Sequence, residues 1–325
     1  MRVLYVNKAA GLQARFCSAR QVAIFRGPAA MSRREDLRNP AIAAAIDDAV
    51  ARGDRRLFDL LCRHSGLPGP RPNTALGWAV AGRVASLGAR ADALVADLCS
   101  FDIRRAPPGT AMEYLPITAA LSLGARYIHG VDRTRSLAWL RGLAEDPRRR
   151  VRDGVVVALW EMARARGDAV VSDLAAWMDG YLPAAVTIDA LTSRQALDRF
   201  ERAGDLLGML DRTFSLIEGA ARSDRRSQGY RTLLETLLEA CLRMLRRFTS
   251  PTLLWLESRA STGVPDLRRV IAKLLERAAS AGRKAGRFEP LAEQLDRAAS
   301  PRRDPRTYVG PTRQRGSKRR RKRPT

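Results

Sequence analysis

An internal match of 28 residues constrains this chain more than any other feature of its sequence. The segment Ser136–Ala163 (SLAWLRGLAEDPRRRVRDGVVVALWEMA) aligns without a gap to Thr252–Ala279 (TLLWLESRASTGVPDLRRVIAKLLERAA), at an offset of 116 residues. Trp139 lies opposite Trp255 in this alignment. Self-similarity of this kind is typical of chains that stack one structural unit several times.

A second repeat indicates the length of that unit. The pentapeptide SLGAR occurs at Ser86–Arg90 and at Ser122–Arg126, so its two copies start 36 residues apart. The first copy ends the helical pattern of Thr74–Leu87, and the second is followed by a turn signal at Gly130. An offset of 116 residues equals three units of about 38.7 residues, so both observations predict a period of about 36 to 40.

The hydrophobic pattern predicts that each unit is helical. The second half of both matched segments places apolar residues at i, i+4, i+7, i+8 and i+11, which is one face of an α-helix. These residues are Val151, Val155, Ala158, Leu159 and Met162, and Leu267, Ile271, Leu274, Leu275 and Ala278. Aromatic residues make up only 6% of the chain, while the helix-favouring Ala, Leu and Arg dominate it. The sequence therefore predicts an all-α fold without a sheet.

Helix boundaries are predicted from proline and small polar residues. Asp146-Pro147 and Ser250-Pro251 each read as an N-cap followed by proline at the first helical position. Gly124 follows the helical pattern of Leu115–Leu123 and is predicted to end it.

These segments resemble the HEAT-repeat family. The second helix of that family commonly opens with Asp-Pro, then a Val-Arg pair, then small and apolar residues. Asp146-Pro147, Val151-Arg152 and the Val155–Leu159 run resemble this pattern, and Val264–Arg268 keeps the Arg but reverses Asp and Pro. The resemblance implies a curved α-solenoid of about six helical hairpins over residues 39–299, which offers a binding surface and implies no particular reaction.

The two ends of the chain are predicted to lie outside the solenoid. Residues 1–38 are read as an extension that is disordered or precedes the true start at Met31, although the acid-free first thirty residues also resemble a mitochondrial transit peptide. Residues 300–325 combine few apolar residues with Pro, Gly and dense positive charge, so we expect a disordered basic tail.

A formal net charge of +24 predicts an anionic partner, either nucleic acid (DNA or RNA) or an acidic protein. Arginines expected on outer helix faces or turns, together with the basic cluster of the tail, are the predicted nucleic-acid contacts. They are Arg148, Arg149, Arg243, Arg246, Arg247, Lys318, Arg319, Arg320, Arg321, Lys322 and Arg323. Arg152 and its counterpart Arg268 are expected instead to bond an Asp or a turn carbonyl of the neighbouring unit.

No motif predicts a cofactor, a metal or a small-molecule ligand. The chain lacks a phosphate-binding glycine loop, and its only histidines, His64 and His129, have no local partner for catalysis. The cysteines Cys17, Cys62, Cys99 and Cys241 are scattered and are expected to be free thiols in a reducing compartment. No run of 18 apolar residues exists, so we expect a cytoplasmic protein, associated with the nucleoid or ribosome if bacterial.

Three functions remain open at this point. The first is a non-enzymatic scaffold that binds nucleic acid, and the second is a protein–protein scaffold built on the same solenoid. The third follows from a more distant resemblance to HEAT-like DNA glycosylases of alkylation repair, which work with an aspartate and tryptophans on the concave face. In this chain that resemblance would assign catalysis to Asp153 and Trp160, seven residues apart in one helical pattern.

Overall fold

A computed structural model describes residues 40–280, Gly286 and residues 288–298, and within these ranges it contains helices and turns but no β-strand. The all-α prediction is confirmed for this part of the chain. The predicted extension over residues 1–38 and the predicted tail over residues 300–325 lie outside the described residues. The α-helices are α1 (Pro40–Arg52), α2 (Arg56–Arg63), α3 (Thr74–Leu87), α4 (Asp92–Cys99), α5 (Tyr114–Ile128), α6 (Arg133–Ala144), α7 (Arg149–Arg166), α8 (Ala169–Leu174), α9 (Tyr181–Leu191), α10 (Arg194–Leu197), α11 (Gly204–Glu218), α12 (Gln228–Arg247), α13 (Thr249–Arg259), α14 (Pro265–Ser280) and α15 (Glu289–Ala298).

Six of these helices form a central series in which each member packs on the next. The order of contact is α3 on α5, α5 on α7, α7 on α9, α9 on α12 and α12 on α14. The intervening helices flank the series: α4 packs on α5, α6 on α5 and α7, α11 on α9 and α12, and α13 on α12. Contacts thus run mainly between neighbours along the chain, which is compatible with the predicted helical-repeat solenoid.

The 116-residue offset corresponds to real helix boundaries. Helix α6 begins at Arg133 and α13 at Thr249, while α7 begins at Arg149 and α14 at Pro265. Two further helical pairs lie between the matched pairs, namely α8 with α9 and α11 with α12, and the short helix α10 lies between these two. The match therefore joins a pair of helices to the third pair after it.

Burial follows the predicted stripes. All five apolar positions predicted for α7 are buried, and in α14 only Leu275 is half-buried rather than buried. Trp139 and Trp255 occupy equivalent half-buried positions against the core, next to the fully buried Leu140 and Leu256. Removal of these stripes from water is the dominant favourable contribution to such a fold.

The two SLGAR copies adopt different structures. Gly88 in the first copy follows the end of α3 with a φ of +60°, a conformation that favours glycine. The prediction that Gly124 ends a helix is wrong, because α5 continues through it to Ile128. Gly124 instead lets α5 approach α7, since a Cβ there would lie 2.9 Å from the Cβ of Ala158. The copies also touch: Arg126 Nη1 donates to the Gly88 carbonyl at 2.7 Å.

The predicted N-caps are displaced by a few residues. Helix α7 begins at Arg149, and Asp146 accepts a hydrogen bond from the Arg148 backbone N–H in the preceding turn rather than from the helix itself. Helix α13 begins at Thr249, so Pro251 lies within its first turn, where a missing N–H is tolerated.

Side-chain hydrogen bonds between units recur near the predicted period. Arg83 bonds Asp47, 36 residues away, and the Tyr230 hydroxyl donates to Asp266, also 36 residues away. Arg141 donates to Asp179 at a separation of 38 residues. These three bonds join separate helical elements at spacings close to the predicted period.

Candidate nucleic-acid interface

Arg148, predicted to contact phosphate, is a buried structural residue. Its side chain is 1% exposed and forms an ion pair with Asp146, with an Nη2 to Oδ2 distance of 2.6 Å. The same guanidinium donates to the carbonyls of Phe101 (2.7 Å), Ala106 (2.7 Å) and Asp102 (3.1 Å). Burying a guanidinium requires that its N–H donors be satisfied, and here the carbonyls of the loop from Phe101 to Ala106 do so. The prediction for Arg148 is therefore wrong.

Arg149 lies on the surface of α7 and faces Asp153 one turn later. Its Nε is 3.8 Å from Asp153 Oδ2, and 55% of the Arg149 side chain is exposed. Burial raises the pKa of Asp153 to about 6, Arg149 opposes this shift, and the negative charge of Asp189 on α9 adds to it. Arg149 is thus accessible to a partner, although part of its charge is balanced locally.

Arg243 on α12 serves mainly to join α12 to α9. Its Nη1 donates to the Asp189 carboxylate at 2.6 Å and to the Asp189 carbonyl at 3.1 Å. One turn further along α12, Arg246 and Arg247 are both exposed, and the Arg247 guanidinium lies 4.9 Å from the centroid of the Phe248 ring. Among the helix-face arginines of the prediction, the accessible ones are therefore Arg149, Arg246 and Arg247.

Trp160 does not reach the surface. It is 2% exposed, and its indole Nε1 is buried without a hydrogen-bond partner. An aromatic ring that holds an extruded base must be accessible to that base. Asp153 and Trp160 share helix α7, but only Asp153 is partly exposed, so the structure does not bring them together at a surface site.

Arg152 bonds turn carbonyls of its own unit, whereas the prediction placed its partner in the neighbouring unit. Its Nη1 donates to the carbonyl of Asp146 at 2.6 Å and to that of Pro147 at 2.9 Å. Burial lowers the pKa of this guanidinium, while Asp153 and Asp146 oppose that effect. Arg152 therefore stabilises the turn between α6 and α7.

Much of the net positive charge lies outside residues 40–300, the range that contains the described helices and that we call the helical body. Residues 40–300 contain 39 basic and 31 acidic residues, which leaves an excess of +8, whereas residues 1–39 carry +6 and residues 301–325 carry +10. The predicted contacts Lys318, Arg319, Arg320, Arg321, Lys322 and Arg323 lie in the last of these segments, outside the described residues. Within the body, numerous arginines pair with carboxylates of adjacent helices, for example Arg83 with Asp47 and Arg243 with Asp189.

The prediction missed an exposed basic loop between α4 and α5. Arg104 and Arg105 are exposed there beside Ile103, one of two large apolar side chains found exposed among the described residues. Pro107-Pro108 follows this Arg pair closely and indicates only a break between helices. An adjacent Arg pair in a loop rather than on a helix face was the available signal.

The cysteines among the described residues are not activated as nucleophiles. Cys62, Cys99 and Cys241 are free thiols, and burial raises the pKa of Cys99 and of Cys241 to about 12, which makes these two poor nucleophiles at neutral pH.

No helix among residues 40–280 and 289–298 has the length and apolar character needed to cross a membrane.

In comparisons with known proteins, no family model, no curated protein and no solved structure matches this chain.

Proposed function

We propose that this protein is a non-enzymatic, HEAT-like repeat scaffold that binds nucleic acid without reading its sequence. In this proposal the basic segment Lys318–Arg323 supplies most of the phosphate contacts. The exposed arginines of the helical body, including Arg149, Arg246 and Arg247, supply weaker ones. Backbone contacts of this kind position a protein on a nucleic acid but do not discriminate between bases.

The observation that carries the proposal is the separation of charge along the chain. Of the total excess of +24, residues 1–39 and 301–325 together carry +16, while the helical body carries only +8. Ion pairs between adjacent helices use much of the body's positive charge to hold the fold together. A charge that served only solubility would not need to be concentrated in this way.

The test is binding to a short duplex DNA and a short RNA, measured by fluorescence anisotropy at several salt concentrations. Four to six phosphate contacts made by Lys318–Arg323 would contribute about −0.9 each to the slope of log affinity against log salt. Truncation after Ser300 should therefore flatten that slope by about 4 to 5. Arg246→Ala combined with Arg247→Ala should flatten it by less than about 2.

Two tail variants provide matched controls. Replacing all six residues of Lys318–Arg323 by lysine should preserve affinity and slope, because neutralising phosphate requires charge rather than guanidinium geometry. Replacing them by glutamine should reproduce the truncation. Unchanged binding after truncation would show that the tail is not the contact.

If the full chain fails to bind either nucleic acid at 50 mM salt, the proposal fails. The protein–protein scaffold then becomes the better explanation. It predicts partners that remain bound to the protein after nuclease treatment in a pull-down.

A further inference from the structure

A small cleft lies between α2 and the loop that joins α4 to α5. It has a volume of about 350 Å³ and is lined by Arg55, Phe58, Asp59, Phe101, Arg105 and Met112. We call it the Arg105 cleft. Its floor is aromatic: the rings of Phe58 and Phe101 meet edge to face, with centroids 5.3 Å apart and an interplanar angle of 84°.

The Arg105 guanidinium lies over the Phe101 ring, and a hydrogen bond to Ser100 holds it there. Its Cζ lies 4.1 Å from the centroid of the Phe101 ring, and its Nη1 donates to the Ser100 hydroxyl at 2.8 Å. Arg105 is nevertheless exposed, so the side of the guanidinium that faces away from Phe101 remains accessible. A planar cation held on one face by an aromatic ring offers its other face for stacking by a flat ligand.

Several hydrogen bonds hold the loop that carries Arg105, which joins α4 to α5, in one position. The buried Arg148 guanidinium binds three of its carbonyls, as described above. The Asp102 carboxylate accepts hydrogen bonds from the backbone N–H groups of Arg104 at 3.0 Å and of Arg105 at 2.9 Å. Because these bonds exist before any ligand arrives, little conformational entropy would be lost when one binds.

Charges in and around the cleft determine how a nucleotide would be oriented. Arg55 and Arg104 are both exposed, Arg55 as part of the lining and Arg104 next to Arg105 in the loop. Asp59 also lines the cleft, and its carboxylate would repel a phosphate placed inside. These charges therefore favour a flat, uncharged base in the interior and its phosphates beside the exposed Arg55 and Arg104.

We propose that the Arg105 cleft binds one unpaired nucleotide of a nucleic-acid strand. The base stacks on the outer face of the Arg105 guanidinium, and the flanking phosphates lie against Arg55 and Arg104. This inference rests on the proposed nucleic-acid function and narrows its substrate class to strands with unpaired bases. A base inside a duplex is stacked and paired on both sides and cannot enter the cleft.

The experiment compares a 12-nucleotide single strand with a blunt duplex of the same sequence, using the full chain and anisotropy at fixed salt. Stacking on one side chain is worth enough that Arg105→Ala should weaken single-strand binding by at least about fivefold. Duplex binding should change by less than about twofold, because the tail contacts are unaffected. Arg194→Ala, which removes an exposed charge from α10, is the matched control and should change both affinities equally and slightly.

Arg105→Lys separates stacking from charge. Lysine keeps the positive charge but lacks the planar group, so it should impair single-strand binding about as much as alanine does. A strand containing 2-aminopurine should change its fluorescence on binding to the parent, because the base leaves its neighbours in the strand, and the Arg105 variants should lose this change. Both variants change an exposed side chain, and circular dichroism will confirm that they remain folded.

Several results would overturn the inference. If Arg105→Lys binds the single strand as well as the parent does, Arg105 makes a simple charge contact. The same conclusion follows if Arg105→Ala weakens single-strand and duplex binding equally. If Arg105→Ala weakens the binding of polyglutamate as much as that of the single strand, the cleft is a general anion-binding surface. If the parent binds a mononucleotide as tightly as it binds the single strand, the cleft is a small-molecule site. If Arg105→Ala has no effect while the parent binds through its tail, this inference alone fails. If the parent binds no nucleic acid, the proposed function fails first.

Discussion

At the residue scale, arginine serves two opposite purposes in this protein. Arg148 and Arg126 are buried and bond loop or turn carbonyls and nearby carboxylates, so they stabilise the fold. Arg105, Arg246 and Arg247 are exposed, and they are available to a partner. Guanidinium groups suit both purposes because they remain charged and present several donors in a fixed plane.

Substitution of Arg148 tests the first of these purposes. Arg148→Ala removes the partner of Asp146 and the side-chain donor of three loop carbonyls, of which only that of Asp102 also accepts from a backbone N–H within the loop, so we expect a loss of about 3–5 kcal/mol in the free energy of unfolding. The matched control Arg149→Ala removes an exposed i,i+4 pair and should cost less than about 0.5 kcal/mol. Urea unfolding followed by circular dichroism measures both values, and equal stability of the two variants would contradict the buried role.

At the element scale, close approach of helices depends on glycine at particular positions. Gly124 in α5 faces Ala158 in α7, and Gly154 in α7 faces Ile117 in α5, where an added Cβ would lie 3.2 Å from the Ile117 side chain. Glycine lowers helix propensity, so its presence inside two buried helices is explained by this contact rather than by local structure.

A pair of glycine substitutions separates packing from propensity. Gly124→Ala should destabilise the protein by about 1–3 kcal/mol, because the new methyl group would overlap Ala158 and force α5 from α7. Gly142→Ala in α6, where nothing lies within 4 Å of the added Cβ, should stabilise by about 0.5–1 kcal/mol. The midpoints of thermal unfolding of the two variants should therefore shift in opposite directions. Shifts of the same sign would contradict the close contact between Gly124 and Ala158.

At the scale of the whole molecule, contacts between helices follow chain order. Helix α14 packs on α12 and α15, whereas α3 packs on α5 at the other end of the central series. In such an arrangement stability is carried by interactions between neighbours, and local damage spreads over a short distance.

Native-state hydrogen exchange tests this locality. Leu274 in α14 is fully buried, and Leu274→Ala should cost about 2–5 kcal/mol. We expect faster exchange in α12–α14 and unchanged exchange in α3–α5. Leu159→Ala in α7, a fully buried residue near the middle of the series, should accelerate exchange on both sides. Uniform acceleration along the chain with Leu274→Ala would show a single cooperative unit instead.

The sequence by itself determined the helical class, the 116-residue offset between the matched helices and the buried faces of those helices. These properties follow from local periodicity: the stripe of Val151, Val155 and Leu159 has the helical period, and its counterpart recurs 116 residues later. The starts of α7 and α14, at Arg149 and Pro265, also lie 116 residues apart, because equivalent residues reach equivalent positions in the two matched segments.

Only the tertiary structure decided which arginines are accessible and where a ligand could bind. Arg148 and Arg149 are adjacent in the sequence and chemically identical, yet one is buried against a loop more than 40 residues earlier and the other is exposed. Likewise, the Arg105 cleft joins α2 to a loop about 40 residues later. Such pairings depend on how one unit packs on another, and a periodic pattern describes each helix face without stating what lies across from it.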